Sequence, residues 1–255
     1  MARWLRAVQK FGSPIFDVRK MLVGATLYPN YLRDWRRYIN LPGAEPLEIV
    51  NGYPCIFDRT STTDFDRHYI YLNAWAFRKI LAAKPERHID VGSQIAFVTL
   101  LSAVVPVEFI DIRPLEANLS GLEGRKGSIL AIPFADRSIA SISSLHVVEH
   151  IGLGRYGDEL DPKGSVKAMK ELARVVALGG SLYVGLPVGR PRVCFNAHRV
   201  HFPNDVVNIL EREGLTLNLF SAVDDRGRFY PDVQTADFSN EEYACGMYHF
   251  VRKHP

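Results

Sequence analysis

Two acidic residues stand 21 positions apart, each at the end of a predicted strand. Asp90 is followed by Gly92 and Ser93 in a turn-like sequence, and Asp111 ends the apolar run 107–111. In nucleotide-binding α/β sheets, a glycine turn after the first strand approaches the ligand with its backbone, and an acid about 20 residues later binds ribose hydroxyls. The spacing therefore predicts a site for a nucleoside-containing cofactor.

Histidines cluster after later predicted strands and are candidates for acid–base chemistry. Histidine titrates near neutrality, so it suits the removal of a proton from a hydroxyl acceptor. A structural role, with Glu149 or His150 bonding nearby backbone, stays open. The candidate catalytic residues are His146, His150, His198 and His201, with Glu149 and Asp158 as orienting carboxylates.

A metal centre is not expected from the sequence. Residues 146–150 match the zinc-peptidase pattern H-x-x-E-H, but they open at the end of an apolar strand, whereas the peptidase pattern lies on a helix. The three cysteines are widely spaced and form no C-x-x-C pair, and their odd number suits a reducing compartment. We therefore expect a cytoplasmic protein without a metal site.

Alternating short strands and helices must position these residues. Short apolar strands joined by helical crossovers predict a mostly parallel sheet covered on both faces. Before this region, residues 1–60 contain five prolines and are predicted to form only short helices. The predicted strands are 88–92, 107–111, 128–131, 139–145, 182–186, 215–220 and 247–252, and the predicted helices are 61–82, 96–105, 165–178 and 204–213.

Charge is unevenly distributed along the 255 residues. The net charge is +3, but residues 1–40 hold eight basic and two acidic residues, a net +6, so the remainder carries −3. The basic segment could contact an anionic membrane surface or ligand, or be a solvated leader. No apolar run approaches the ~20 residues of a membrane helix, and charges interrupt any signal-peptide core.

Four segments resemble the class I S-adenosylmethionine-dependent methyltransferases: HIDVGS (88–93), VEFIDIRP (107–114), 132–152 and 177–187. More narrowly, segments 111–115, 145–158 and 243–250 resemble an uncharacterised methyltransferase-like family associated with surface-polysaccharide biosynthesis. The resemblance implies a Rossmann-like α/β fold with a mostly parallel seven-stranded sheet and a C-terminal antiparallel strand. Residues 1–60 would be a basic extension or lid, and residues 61–255 the methyltransferase-like domain.

The resemblance also implies roles for individual residues. Residues at the methionine end of S-adenosylmethionine would be Asp90, Gly92 and Ser93, and Asp111 would bind the ribose. Around the adenine would lie Ile112, Arg113, Ser128 and Ile129, and near the sulfonium Ser144, Leu145 and His146. Arg113 could instead pair with Asp111. Arg155, Tyr156 and Arg199 are candidate substrate contacts.

Gln94 and Ala96 depart from the glycine-rich pattern of this superfamily, D-x-G-x-G-x-G. Gln94 either tilts away from the cofactor or narrows its pocket. The leading hypothesis is an O-methyltransferase that acts on a saccharide or glycan intermediate. The alternative is a binding or scaffold protein that has lost catalysis. Nucleic acid is not an expected partner, because the domain is slightly acidic and lacks an N-P-P-Y motif.

Overall fold

The computed structural model describes residues 17–113 and 115–253, and the chain divides into two compact units, Met1–Phe65 and Asp66–Pro255. The main element described in the first unit is helix α1 (Val18–Tyr38), capped by Asp17, whose side chain accepts from the backbone N–H of Lys20 at 3.0 Å. A short 3-10 turn follows at Ile49–Asn51. Across the described part of the chain, no helix is long and apolar enough to cross a bilayer.

The prediction of only short helices in residues 1–60 is wrong. Helix α1 runs for 21 residues and contains Pro29 in its interior. A proline lacks only its own N–H and crowds the carbonyl four residues earlier, here that of Ala25, so a helix can continue through it at a local cost. The basic residues Arg3, Arg6 and Lys10 lie outside the described residues.

The second unit is built on an eight-stranded sheet in the order β3–β2–β1–β4–β5–β10–β8–β9. Strands β1 to β5 run parallel, whereas β10 pairs antiparallel with both β5 and β8. The strands are β1 (His88–Val91), β2 (Val107–Asp111), β3 (Leu122–Lys126), β4 (Ile139–Leu145), β5 (Val176–Val188), β8 (Thr216–Val223), β9 (Phe229–Tyr230) and β10 (Ala244–Val251), with a separate hairpin of β6 (Arg192–Cys194) and β7 (His198–Val200).

Helices cover both faces of the sheet. On one face α2 (Arg67–Ala83) and α3 (Ile95–Leu101) pack through Leu72, Ile80 and Phe97. On the other face α4 (Gly164–Val175) and α5 (Pro203–Arg212) bury Met169 and Leu210. The predicted Rossmann-like architecture with an antiparallel C-terminal strand is confirmed; the sheet has one strand more than expected, the two-residue edge strand β9.

The third predicted strand is displaced. Residues 128–131 form a tight turn, in which the Ala131 N–H donates to the Ser128 carbonyl at 3.0 Å, and the strand lies earlier, at Leu122–Lys126. This edge strand is mostly exposed and polar, so it carries no apolar pattern that sequence analysis could detect.

The fourth helix ends earlier than predicted, at Val175, and β5 begins at once. The guanidinium of Arg252, at the end of the chain, donates to the carbonyls of Ala173 and Val176 at 2.6 and 2.9 Å. A distant side chain therefore satisfies the carbonyl groups at the end of this helix.

Candidate functional site

A pocket lies where the carboxyl ends of β1, β2 and β4 meet, which we call the strand-end pocket. Ligands of open α/β sheets bind at this edge. Eight predicted site residues line it: Gly92, Asp111, Ile112, Arg113, Ile129, His146, His150 and Tyr156. Its remaining lining residues are Val91, Ile110, Gly127, Val147 and Ile151.

Beneath the pocket, Asp90 is fully buried in a hydrogen-bonded network. Its carboxylate accepts from the backbone and hydroxyl of Ser93, at 3.0 and 2.7 Å, and from the hydroxyl of Ser143. Burial raises the pKa of Asp90 to about 6, against the lowering effect of the serine hydrogen bonds. Asp90 thus supports the first turn from below and does not line the pocket itself.

The same network continues to His88. Its two ring nitrogens lie 2.8 Å from the hydroxyls of Ser141 and Ser143. Burial lowers the pKa of His88 to about 3, so the ring is neutral at physiological pH. Ser93 also accepts from the Leu145 N–H at 3.0 Å, which ties the turn after β1 to the end of β4.

At the end of β2, Asp111 presents a carboxylate to the pocket wall. Its Oδ1 accepts from the backbone and Nε of Arg113, at 2.7 and 3.3 Å, so Oδ2 remains an available acceptor. The guanidinium of Arg113 also lies 4.8 Å from the ring centre of Tyr156. Arg113 therefore bridges the two sides of the pocket.

The two departures from the glycine-rich pattern lie outside the pocket lining. Gln94 caps helix α3 with an ordinary φ of −61°, and its side-chain oxygen accepts from Asn73 Nδ2 at 2.9 Å. Its side chain is thus directed to helix α2. Only Gly92, with φ +72°, needs the conformational freedom of glycine in this turn.

Directly after β4, His146 adopts a left-handed backbone with φ +56°. Its Nδ1 lies 2.8 Å from Glu149 Oε1, and its Nε2 lies 3.6 Å from Cys245 Sγ. Burial alone would lower the pKa of His146, but Cys245 and Glu149 raise it to about 10. Both ring nitrogens are therefore engaged inside the protein.

His150 is the histidine with a ring nitrogen to spare at the pocket. It lies in the 3-10 turn Val148–His150, and its Nδ1 donates to the Ala197 carbonyl at 2.5 Å. This hydrogen bond is shorter than the 3.2 Å approach of Arg155 Nη1 to the same nitrogen, so it favours the tautomer that leaves Nε2 as an acceptor, 3.8 Å from Glu149 Oε1. Burial lowers the pKa of His150, with Glu149 opposing the shift, so the ring is neutral at pH 7.

Three predicted site residues instead hold the loop after β4. Asp158 accepts from the backbone N–H of Gly152 at 2.7 Å, and Arg199 donates to the carbonyls of Ile151 and Asp161 at 2.5 and 3.1 Å. The hydrogen bonds of Asp158 and Arg199 hold the backbone of the loop in place. We therefore assign both residues a positioning role, in place of the catalytic role predicted for Asp158 and the substrate contact predicted for Arg199. Arg155 donates to the Ala197 carbonyl at 3.1 Å and is stacked near Tyr156.

The other predicted residues lie around the pocket without lining it. Ser144 donates to the Val91 carbonyl at 3.0 Å within the sheet, and Ser128 accepts from Leu130 N–H at 3.1 Å within its turn. His198 packs against Tyr243 with the two rings tilted and their centres 4.9 Å apart. Burial lowers the pKa of His201, and its Nε2 is buried without a hydrogen-bond partner among the described residues.

Neither His68 nor Cys245 was predicted from the sequence as a site residue. Both side chains meet His146, and the ring of Tyr243 stacks on His68 at 5.0 Å. His68 lies in the first turn of α2 and Cys245 in β10. No local motif links residues so far apart in the chain, so only the sheet topology could have revealed the contact.

Comparison with known proteins supports the fold and leaves the family open. A family described as a Caenorhabditis protein of unknown function, DUF268, matches residues 132–210, about a third of the chain. No curated protein matches the sequence. Neither result concerns polysaccharide biosynthesis.

Solved structures similar to this chain are methyltransferase-fold proteins. The N-methyltransferase NodS of Bradyrhizobium japonicum, crystallised with S-adenosyl-L-homocysteine, is 18% identical, with 75% of this chain and 90% of NodS covered and a TM-score of 0.52. The [4+2]-cyclase SpnF is 11% identical, with 71% and 82% covered and a TM-score of 0.52. The second unit thus has the Rossmann-like fold of class I methyltransferases.

Proposed function

We propose that the protein is an S-adenosylmethionine-dependent methyltransferase. The observation that carries the proposal is the strand-end pocket, which joins the Gly92 turn, the carboxylate of Asp111 and the apolar side chains of Ile112 and Ile129. A ribose diol suits a carboxylate acceptor, and a flat base suits apolar side chains on either side. The fold alone would not suffice, because SpnF shares it and is named a cyclase.

The residues present fit such a cofactor. Asp111 keeps Oδ2 as an acceptor beside its contacts with Arg113, and Gln94 is turned away to Asn73. When bound, S-adenosylmethionine would supply an electrophilic methyl group. Methyl transfer from a sulfonium depends mainly on positioning. The network of Asp90, Ser93 and Leu145 provides that rigidity by fixing the end of β1 to the end of β4.

His150 is the best placed base for a hydroxyl acceptor. Its neutral ring holds a proton on Nδ1, which donates to the Ala197 carbonyl, and exposes the Nε2 lone pair. Nε2 can therefore accept the proton that an acceptor hydroxyl loses as its oxygen is methylated. Burial keeps the ring unprotonated at pH 7, which is the form a base requires.

We propose a hydroxyl group of a saccharide as the methyl acceptor. This proposal rests on the resemblance of residues 111–115, 145–158 and 243–250, and on Tyr156, which lines the pocket with the guanidinium of Arg155 5.2 Å from its ring centre. Incubation with methyl-labelled S-adenosylmethionine and a panel of saccharide acceptors tests it. We expect label in a saccharide ether, and at least tenfold less with His150→Gln. Label confined to amines or nucleic acid would refute the acceptor class, and equal label with His150→Gln would refute the assigned base.

The scaffold alternative loses its main support. It was motivated by Gln94 and Ala96, and neither side chain lines the pocket. The two functions predict different outcomes for Asp111→Ala in cells. If the protein is an enzyme, the variant should fail to support its cellular function, and if it is a scaffold, the variant should still support that function.

The basic segment that begins the chain is proposed to contact anionic membranes. Helix α1 carries Arg33, Arg36 and Arg37, and none of its residues is buried within the structure. Basic residues near an anionic surface contribute about 1 kcal/mol each. Replacing these three arginines by glutamine removes about 3 kcal/mol and should weaken co-sedimentation with anionic vesicles roughly 100-fold at low salt. Equal sedimentation of both proteins would dismiss the idea.

A further inference from the structure

The half-buried His68 and the buried His146 and Cys245 form a cluster beside the strand-end pocket, which we call the His–Cys cluster. One potential ligand atom from each residue lies within 4.8 Å of the other two. Cys245 is completely buried, and His146 is 8% exposed. The three residues come from α2, the end of β4 and β10, so the assembled fold creates the cluster.

The geometry points to a zinc site of two histidines and one cysteine, and we propose that the His–Cys cluster binds Zn²⁺. A Zn–S bond of about 2.3 Å and a Zn–N bond of about 2.0–2.1 Å at the tetrahedral angle separate sulfur and nitrogen by about 3.6 Å. The observed separation of Cys245 Sγ and His146 Nε2 is 3.6 Å. A ring nitrogen of His68 lies within 4.8 Å of the other two ligand atoms, and it would have to move closer to form tetrahedral edges of about 3.4–3.6 Å.

Glu149 completes the arrangement that metal-bound histidines usually show. Such histidines donate their second ring N–H to a carboxylate, which fixes the tautomer. Here Nδ1 of His146 lies 2.8 Å from Glu149 Oε1, and Nε2, which faces Cys245, is the nitrogen left to bind a metal. The other oxygen, Oε2, is buried without a hydrogen-bond partner among the described residues, and a cation nearby would compensate its charge.

Aromatic rings pack against both histidines of the His–Cys cluster. The rings of Tyr69 and Tyr243 pack on His146 and His68, with centres 4.9 and 5.0 Å apart. Three protein ligands leave a fourth position for water or an oxygen of a bound molecule.

Cobalt spectroscopy on the full chain tests this site. After chelator treatment, we expect the protein to bind one Co²⁺ per chain with tetrahedral visible bands and a thiolate charge-transfer band, and one equivalent of Zn²⁺ to displace it. Cys245→Ser should remove the thiolate band and weaken binding at least tenfold. Cys194→Ser, at a half-buried cysteine of the β6–β7 hairpin, is the matched control and should change neither.

A second variant guards against misfolding of Cys245→Ser. His68 lies in the first turn of helix α2. The variant His68→Asn should keep the thiolate band and bind Co²⁺ at least tenfold more weakly. The proposal is overturned if the folded protein binds no Co²⁺, if both variants bind as wild type does, or if Zn²⁺ fails to displace the ion. Titration of the same samples with S-adenosylhomocysteine keeps the cofactor proposal separate, because loss of metal with intact nucleoside binding refutes only the metal site.

Discussion

Replacement of Gly92 by alanine should both destabilise the protein and disturb the strand-end pocket. Gly92 has φ +72°, a conformation that costs an L-residue about 1–2 kcal/mol. An added Cβ would also lie 3.0 and 3.3 Å from the two Cγ atoms of Val147, which lines the pocket. Overpacking of this kind adds about 1–3 kcal/mol. We therefore expect Gly92→Ala to lower the free energy of unfolding by about 2–5 kcal/mol.

Gly157→Ala separates the two contributions. Gly157 has a similar φ of +83°, but nothing lies within 4 Å of an added Cβ. It should therefore show the backbone cost alone, about 1–2 kcal/mol. The double variant Gly92→Ala/Val147→Ala removes the crowding and should be less destabilised than the sum of its single changes. Urea denaturation measures each value. Equal losses for Gly92→Ala and Gly157→Ala, or strict additivity in the double variant, would refute the packing argument.

Three further predictions concern the supports of the site. His88→Gln should make the free energy of unfolding depend less on pH below pH 6.5. The pKa of His88 is about 3 in the folded protein and about 6.5 in the unfolded protein, so wild type is destabilised as the pH falls. This loss amounts to about 3 kcal/mol between pH 6.5 and 4. Asp90, with a pKa of about 6 in the folded protein, has the opposite effect on the free energy of unfolding between about pH 4 and 6, and it has this effect in both proteins. Urea denaturation at several pH values measures the difference. Parallel dependences on pH for wild type and His88→Gln would contradict the prediction. Arg252→Met should cost about 3 kcal/mol or more in chemical denaturation, because it strands the carbonyls of Ala173, Val176 and Glu213, whereas Arg252→Lys should cost less; equal losses would count against the multiple hydrogen bonds. Gln94→Gly should leave the affinity for S-adenosylhomocysteine within threefold in calorimetry, since Gln94 bonds Asn73 outside the pocket, and a tenfold gain would show that its side chain obstructs the ligand.

Much of the second unit could be predicted from sequence because its central strands are buried and apolar. Strands β1, β2 and β4 appear at nearly the predicted positions, and with them Asp90, Asp111 and His146. Strand β3 could not be predicted, since an edge strand satisfies half its backbone with water and needs no apolar side chains. The predicted ends of the central strands were therefore sufficient to locate the pocket.

Apart from the pairing of Arg113 with Asp111, the partners of polar side chains could not be predicted from the sequence. That Gln94 bonds Asn73, and that Arg199 holds two carbonyls of the loop after β4, follows only from how helices and loops pack. The same holds for Arg252, which ends α4 from the far end of the chain. The spacing of residues in the sequence predicts where strands end. The hydrogen-bond partners of polar side chains depend on which residues tertiary packing brings close together.

Titration calorimetry with S-adenosylhomocysteine tests the central claim most directly, with wild type and Asp111→Asn compared. The amide keeps the size of Asp111 and removes a charged acceptor, and a hydrogen bond to a charged group contributes about 1.5–3 kcal/mol. We predict one binding site per chain in wild type and affinity weaker by about 10- to 100-fold in Asp111→Asn. Folded wild-type protein that binds no S-adenosylhomocysteine, or an Asp111→Asn variant that binds it equally well, would contradict the account.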